Sequence, residues 1–265
     1  MTMVTRGTRS RMKRTAARQV LATTVALTVL PLGAACDGHG GERADATAPF
    51  GAAAHEVSGK RLVITTDNGM RLRPADGHRV TVDRHADAVW SHHDGTWTLD
   101  LSCSDRARDD GSCPRMPYVY VPDGLGVIVS ARNAGVDVAG LDGALDVTTV
   151  NGDVTVTHSG RGDAAVHLLT RNGSVRATAL DAGRLHAETT NGDVTLACTT
   201  APSSIAATTT NGSVNVTVPH NAPAYRVTTG TDNGRAAVTV PTRGARHDRT
   251  MTLSTVNGDV AAREG

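Results

Sequence analysis

The sequence predicts an all-β fold: a β-solenoid (β-helix-like) of repeats about twenty residues long, with an irregular N-terminal β cap. Three observations predict it. Asn-Gly recurs at Asn151-Gly152, Asn172-Gly173, Asn191-Gly192, Asn211-Gly212, Asn233-Gly234 and Asn257-Gly258, at spacings of 21, 19, 20, 22 and 24 residues. The same residue types recur around each pair. Thr stands two positions before every Asn (Thr149, Thr170, Thr189, Thr209, Thr231, Thr255), and Val154, Val175, Val194, Val214, Ala236 and Val260 stand three after. Finally, aromatic residues make up only 2% of the 265-residue chain against 39% hydrophobic residues, so the core must be built from Val, Ala, Leu and Thr. Small, β-branched side chains suit narrow, regular β-layers.

Taken in chain order, the N-terminus reads as an address. Arg6, Arg9, Arg11, Lys13, Arg14 and Arg18 precede an uncharged apolar run from Val20 to Ala35. A basic segment, a short apolar segment and a small-residue cleavage site form a secretory signal, here residues 1–35. The run is too short and weakly hydrophobic for a comfortable transmembrane helix. Leu32-Gly33-Ala34-Ala35-Cys36 resembles the lipobox of bacterial lipoproteins, with Gly33 where that motif prefers Leu. The resemblance implies lipid modification of Cys36, anchoring the exported chain to the outer face of the cell membrane. The alternative is an ordinary cleavage that leaves a secreted chain with a free cysteine. Removing the six N-terminal cations from the +1 chain leaves −5, which gives no electrostatic case for nucleic-acid binding. Residues 36–56, rich in Gly, Ala, Asp and Thr, read as a flexible tether.

Residues 57–122 are less regular and read as the cap. Val80-Thr-Val82, Ala88-Val-Trp90, Thr96-Trp-Thr-Leu-Asp-Leu101 and Tyr118-Val-Tyr-Val121 are expected strands, with a hairpin turn at His92-His-Asp-Gly95. Thr66-Asp67-Asn68-Gly69 looks like an opening copy of the repeat. Cys103 and Cys113 bracket a polar loop, and outside the cytoplasm two nearby cysteines are expected to bond. A Cys103–Cys198 pair is the alternative, with Cys198 otherwise a small buried hydrophobe.

Residues 123–265 form the regular repeat. Alternation in segments such as Asp193-Val-Thr-Leu-Ala197 marks half-buried strands. Asn-Gly can close a hairpin, which would give an antiparallel meander. The recurrence of Thr, Asn and Val at one period favours a solenoid instead, because stacking sets like residues above like. Asn and Gly both tolerate positive φ, which would permit a sharp corner.

Segments such as Ala206-Ala-Thr-Thr-Thr-Asn-Gly-Ser-Val-Asn-Val-Thr-Val-Pro219 resemble the bacterial putative-adhesin family of β-strand-repeat proteins of unknown function. The resemblance spans residues 57–263. It implies a β-helix-like domain on an exported or lipid-anchored chain.

No catalytic motif accompanies the repeat: the sequence has no nucleophile elbow, zinc motif or phosphate loop, and no cofactor is expected. The Asp and Ser two positions after each Asn (Asp153, Ser174, Asp193, Ser213, Asp259, with Arg235 among them) are turn residues rather than a calcium ladder. His92-His93-Asp94 and the Arg161-Gly-Asp163 tripeptide are weak signals for a metal and a receptor. The reading is a non-catalytic, envelope-anchored binding or scaffolding module. Its expected partners are the membrane and a glycan or envelope protein, met by a flat ladder of Thr hydroxyls and Asn amides. The rival is a carbohydrate-active lyase or hydrolase on a β-helix, which would need clustered carboxylates or basic residues on one strand face.

Overall fold

A computed structural model describes residues 54–104, 109 and 113–265. The expected signal at 1–35, Cys36 and most of the tether lie outside the described residues.

Each regular coil lays one strand on a sheet, turns a corner, and lays the next strand on a second sheet. Sheet B receives β8 (Gly126–Ala131), β10 (Leu145–Thr148), β12 (Gly160–Leu169) and β15 (Ser204–Thr208). Sheet A receives β9 (Val136–Ala139), β11 (Val154–Thr157), β14 (Val194–Cys198) and β16 (Val214–Val218). The long strand β13 (Val175–Glu188) starts on sheet A beside β11 and ends on sheet B beside β12 and β15. All these pairings are parallel. The strands flanking each Asn-Gly therefore lie on different sheets, so the pairs mark corners of a solenoid and not hairpins.

Stacking explains why the inward rows are so uniform. On sheet A, Val136, Val154, Val175, Val194 and Val214 lie in register and are at most 1% exposed. On sheet B, Val127, Leu145, Val166, Leu185 and Ile205 form the matching row. Burying each such side chain contributes about 1.5–3 kcal/mol. The alternate residues point outward, which is the period-2 pattern read from the sequence.

The coils do not stack in chain order at either end. At the C-terminal end, β19 (Thr250–Asn257) and β20 (Val260–Glu264) form the last coil in sequence. They pair with β15 and β16 on one side, and with β17 (Arg226–Asn233) and β18 (Ala236–Val238) on the other. The final coil is thus inserted beneath the one that precedes it. At the N-terminal end, β2 (Arg61–Thr66) and β3 (Met70–Pro74) form a coil that pairs with β8 and β9. On their other side lie β6 (Thr96–Asp100) and β7 (Tyr118–Val121).

Antiparallel strands finish the N-terminal end. β5 (Val89–His93) runs along β6, and β4 (Arg79–Val82) along β7. The β5–β6 hairpin turns at Asp94 and Gly95, with φ of 49° and 72°, as a tight primed turn requires. The last residues of the expected tether form a further strand, β1 (Ala54–Glu56), antiparallel to β4. Backbone pairing with an exposed edge orders these residues, although their side chains carry no strand pattern.

Candidate functional site

The corner ladder is the most regular surface. Asn172 Nδ2 donates to Asn151 Oδ1, Asn191 to Asn172, Asn211 to Asn191, Asn257 to Asn211 and Asn233 to Asn257, each at 2.8 Å. The Asn side chains are exposed. None of the repeat asparagines has a positive φ, so the corner does not use Asn for its backbone freedom. Its amide supplies a side-chain ladder along the edge of the solenoid.

Glycine is needed at the corner on two counts: Gly192, Gly212 and Gly258 hold φ of 146°, 150° and 147°, which L side chains rarely adopt, and no Cβ would fit there. A Cβ on Gly192 would overlap the carbonyl of Gly173, one on Gly212 that of Gly192, and one on Gly258 that of Gly212. The coils approach too closely there for any side chain.

The Thr ladder is not a surface, which corrects the expectation that it presents hydroxyls. Thr149, Thr170, Thr189, Thr209 and Thr255 are all buried. Thr170 Oγ1 donates to Gly152 O, Thr189 to Gly173 O, Thr209 to Gly192 O and Thr255 to Gly212 O, each at 2.8 Å. The hydroxyl satisfies a carbonyl that the corner turns away from the sheets.

The next position alternates in space. Asp153, Ser174, Asp193, Ser213, Asp259 and Arg235 follow one another up the stack. Each Asp Oδ1 accepts the backbone N–H of the coil beside it: Ser174 N at 2.7 Å, Ser213 N at 2.8 Å and Arg235 N at 2.9 Å. Serines separate the carboxylates, which sit two coils, about 9.6 Å, apart at a strand spacing near 4.8 Å. The inserted final coil preserves that alternation.

The other candidates resolve individually. Arg161 Nε donates to Asp163 Oδ1 at 2.8 Å. That bond raises the Arg161 guanidinium and holds the Asp163 carboxyl below its ordinary value, so the two charged groups of the tripeptide engage each other. His92 stacks on Trp97, while His93 lies 3.2 Å from the Asp94 carboxylate. Among the described residues no three His, Cys, Asp or Glu side chains converge as a metal site. Cys103 and Cys113 form a disulfide with Cα atoms 5.9 Å apart, and Cys198 is free and buried. Asn68 Nδ2 donates to Cys113 Sγ at 2.7 Å, tying the disulfide to the corner of the first coil.

One cluster was missed by sequence reasoning. On the outward face of sheet A, Tyr118 and Tyr120 of β7 stack with ring centroids 6.0 Å apart and planes 16° apart. Their register partners on β3 are Arg71 and Arg73. The two guanidinium carbons lie 5.3 and 5.8 Å from the Tyr118 ring centroid. Arg73 pairs with Asp137 of β9 at 3.1 Å, and Arg71 donates to the Met116 carbonyl. Open clefts flank the tyrosines, one bordered by Glu56, His78 and Arg79, the other by Thr81 and Arg84. The available signal was Tyr-x-Tyr and Arg-x-Arg, each putting two side chains on one strand face. Which strands become neighbours is not written at that spacing.

Comparisons with known proteins find two solved structures and one family model similar to this chain. A putative cell adhesion protein from Clostridium sporogenes is 9% identical, with 77% of this chain and 92% of that chain covered and a TM-score of 0.36. A putative adhesin from Bacteroides fragilis is 11% identical, with 80% and 95% covered and a TM-score of 0.33. No curated protein matches the chain. The Toastrack DUF4097 family model matches residues 127–262, the run from β8 through β20, and the chain belongs to that family.

Proposed function

We propose that this protein is an exported, lipid-anchored envelope module without catalytic activity, and that it binds a glycan on the outward face of sheet A. The stacked Tyr118–Tyr120 pair beside Arg71 and Arg73 carries the reading. Sugar rings present C–H faces that pack on aromatic planes, and tyrosine adds a polar tip for hydrogen bonding. Guanidinium groups donate to hydroxyl and carboxylate oxygens in a fixed fork. Parallel pairing of β3 with β7 holds these groups at strand spacing, matched to an extended ligand. Tyr120 is 39% exposed, leaving its ring accessible.

The test is a glycan array probed with the wild-type chain and with Tyr118→Ala/Tyr120→Ala. Binding without product release, weakened about tenfold or more in the variant, is expected. Released product would favour the carbohydrate-active enzyme, and unchanged binding in the variant would remove this face from consideration. The anchor is tested separately by radioactive fatty-acid labelling: label that persists in Cys36→Ser would refute lipidation at that residue.

A further inference from the structure

The two ends of the solenoid are finished differently. At the N-terminal end β4 and β5 run antiparallel over the last coil, and His55 stacks on Trp90 at 4.9 Å and meets Trp97 edge-on at 4.6 Å. At the C-terminal end β17 pairs only with β19, and β18 only with β20, among the described residues. Both outer edges are open.

The core shows the consequence. Val238 stands in the inward row of Val156, Leu196, Val216 and Ala262, which are at most 1% exposed, yet Val238 is 38% exposed. Ala236 and Val227 end two further rows in the same way: Ala236 is exposed above Val260, and Val227 is half-buried above Met251. An open pair of strand edges over an uncovered core end is a surface that proteins normally block or fill.

We propose that two copies of this chain join through these edges, C-terminal coil to C-terminal coil. β17 would run antiparallel to the β17 of the second copy, and β18 likewise. The antiparallel strands at the N-terminal end leave no parallel edge for head-to-tail stacking, so the contact is isologous and closes on itself.

The sequence of β17 selects a register. The Arg226 N–H bonds to the Arg249 carbonyl inside the molecule. The backbone groups of Val227, Thr229 and Thr231 therefore point to the free edge, since alternate residues pair on alternate sides. A twofold axis at Thr229 sets Val227 opposite Thr231, both inward, and Thr228 opposite Gly230, both outward. It also sets Arg226 opposite Asp232 twice, once on each side of the axis. A one-residue slip would put inward side chains against outward ones. A shift of the axis by one residue either way would lose both charge pairs. Arg226 also contacts His247 Nδ1 at 2.6 Å, which holds the guanidinium at this end of the strand.

The test is sedimentation of the full exported chain carrying Cys36→Ser, so that no lipid drives association. A dimer is expected at micromolar concentration. Thr229→Pro removes an N–H that faces the free edge and makes no bond inside the molecule, so it should give a folded monomer. Asp232→Arg should weaken the dimer about tenfold, and Arg226→Asp/Asp232→Arg should restore it. Thr229→Cys should form an intermolecular disulfide, because residues facing each other in a hydrogen-bonded antiparallel pair lie about 5.5 Å apart, within disulfide reach. A monomer at all concentrations would overturn the proposal, as would open-ended polymers or a dimer indifferent to both the charge reversal and Thr229→Pro.

Discussion

Gly192 shows how little freedom the corner allows. A Cβ there would meet the Gly173 carbonyl and the Ser174 backbone nitrogen of the adjacent coil, and neither is a flexible side chain that could move aside. Gly192→Ala should lower stability by about 1–3 kcal/mol in urea unfolding. Gly77→Ala, where a Cβ meets nothing within 4 Å, should be near neutral. Cys198 makes a second argument at this scale. Burial, with the Asp181 charge adding, pushes its thiol from the ordinary 9.0 up to about 12. A raised folded value means the unfolded chain loses its proton first as pH rises. Stability from this group is full below pH 9.0 and is lost as pH rises toward 12. Burial raises the Tyr225 hydroxyl in the same sense. Cys198→Val should therefore flatten part of the fall in unfolding free energy above pH 9.0, followed by urea titration at stepped pH. The native thiol should also resist alkylation at neutral pH, since the thiolate is the reactive form.

At the scale of elements, the disulfide and the turns decide how irregular segments join a regular stack. Cys103 and Cys113 are separated by ten positions, and closing such a loop contributes about 2–3 kcal/mol by chain entropy. Reduction should lower the thermal midpoint, read by a thermal melt with and without reductant. Tyr225 has the matching task at the other end. It is fully buried, its hydroxyl donates to the Pro202 carbonyl at 2.8 Å, and Arg249 lies 5.5 Å from its ring centroid. It thereby pins the β16–β17 connection over the preceding turn. The hairpin at His92–Gly95 was legible because Asp-Gly between strands has one dominant solution. The Asn-Gly corners were legible as turns, but the reason for each residue was not. Asn was credited with backbone freedom and Thr with surface hydroxyls. The structure gives Asn a side-chain ladder and buries Thr, because both roles depend on the coil alongside.

At the scale of the molecule, the inserted final coil governs cooperativity. β17 and β18 touch the rest of the solenoid through β19 and β20. A chain ending at Arg249 should therefore lose four strands, not two. Limited proteolysis should cut such a chain throughout 219–249 while leaving β8 to β16 protected. Survival of an ordered β17 in that truncation would show that it finds another edge. The insertion also bears on folding order, since β17 must wait for a partner that follows it in the chain. Repeat proteins usually depend on nearest neighbours in sequence, and both ends of this one break that rule.

By itself the sequence determined the all-β class, the period, the corner positions and which residues of each strand face the core. These follow from local rules: alternation fixes faces, and a repeated residue fixes register. Only the tertiary structure decided the order of coils at the two ends, the Tyr118–Tyr120–Arg71–Arg73 cluster, the seating of Asp259 between Ser213 and Arg235 and the open C-terminal edge. Each of these depends on which strand edge meets which. Similar repeats offer nearly equivalent edges, so the choice among them rests on the packing of the whole stack and not on the residues of any one coil.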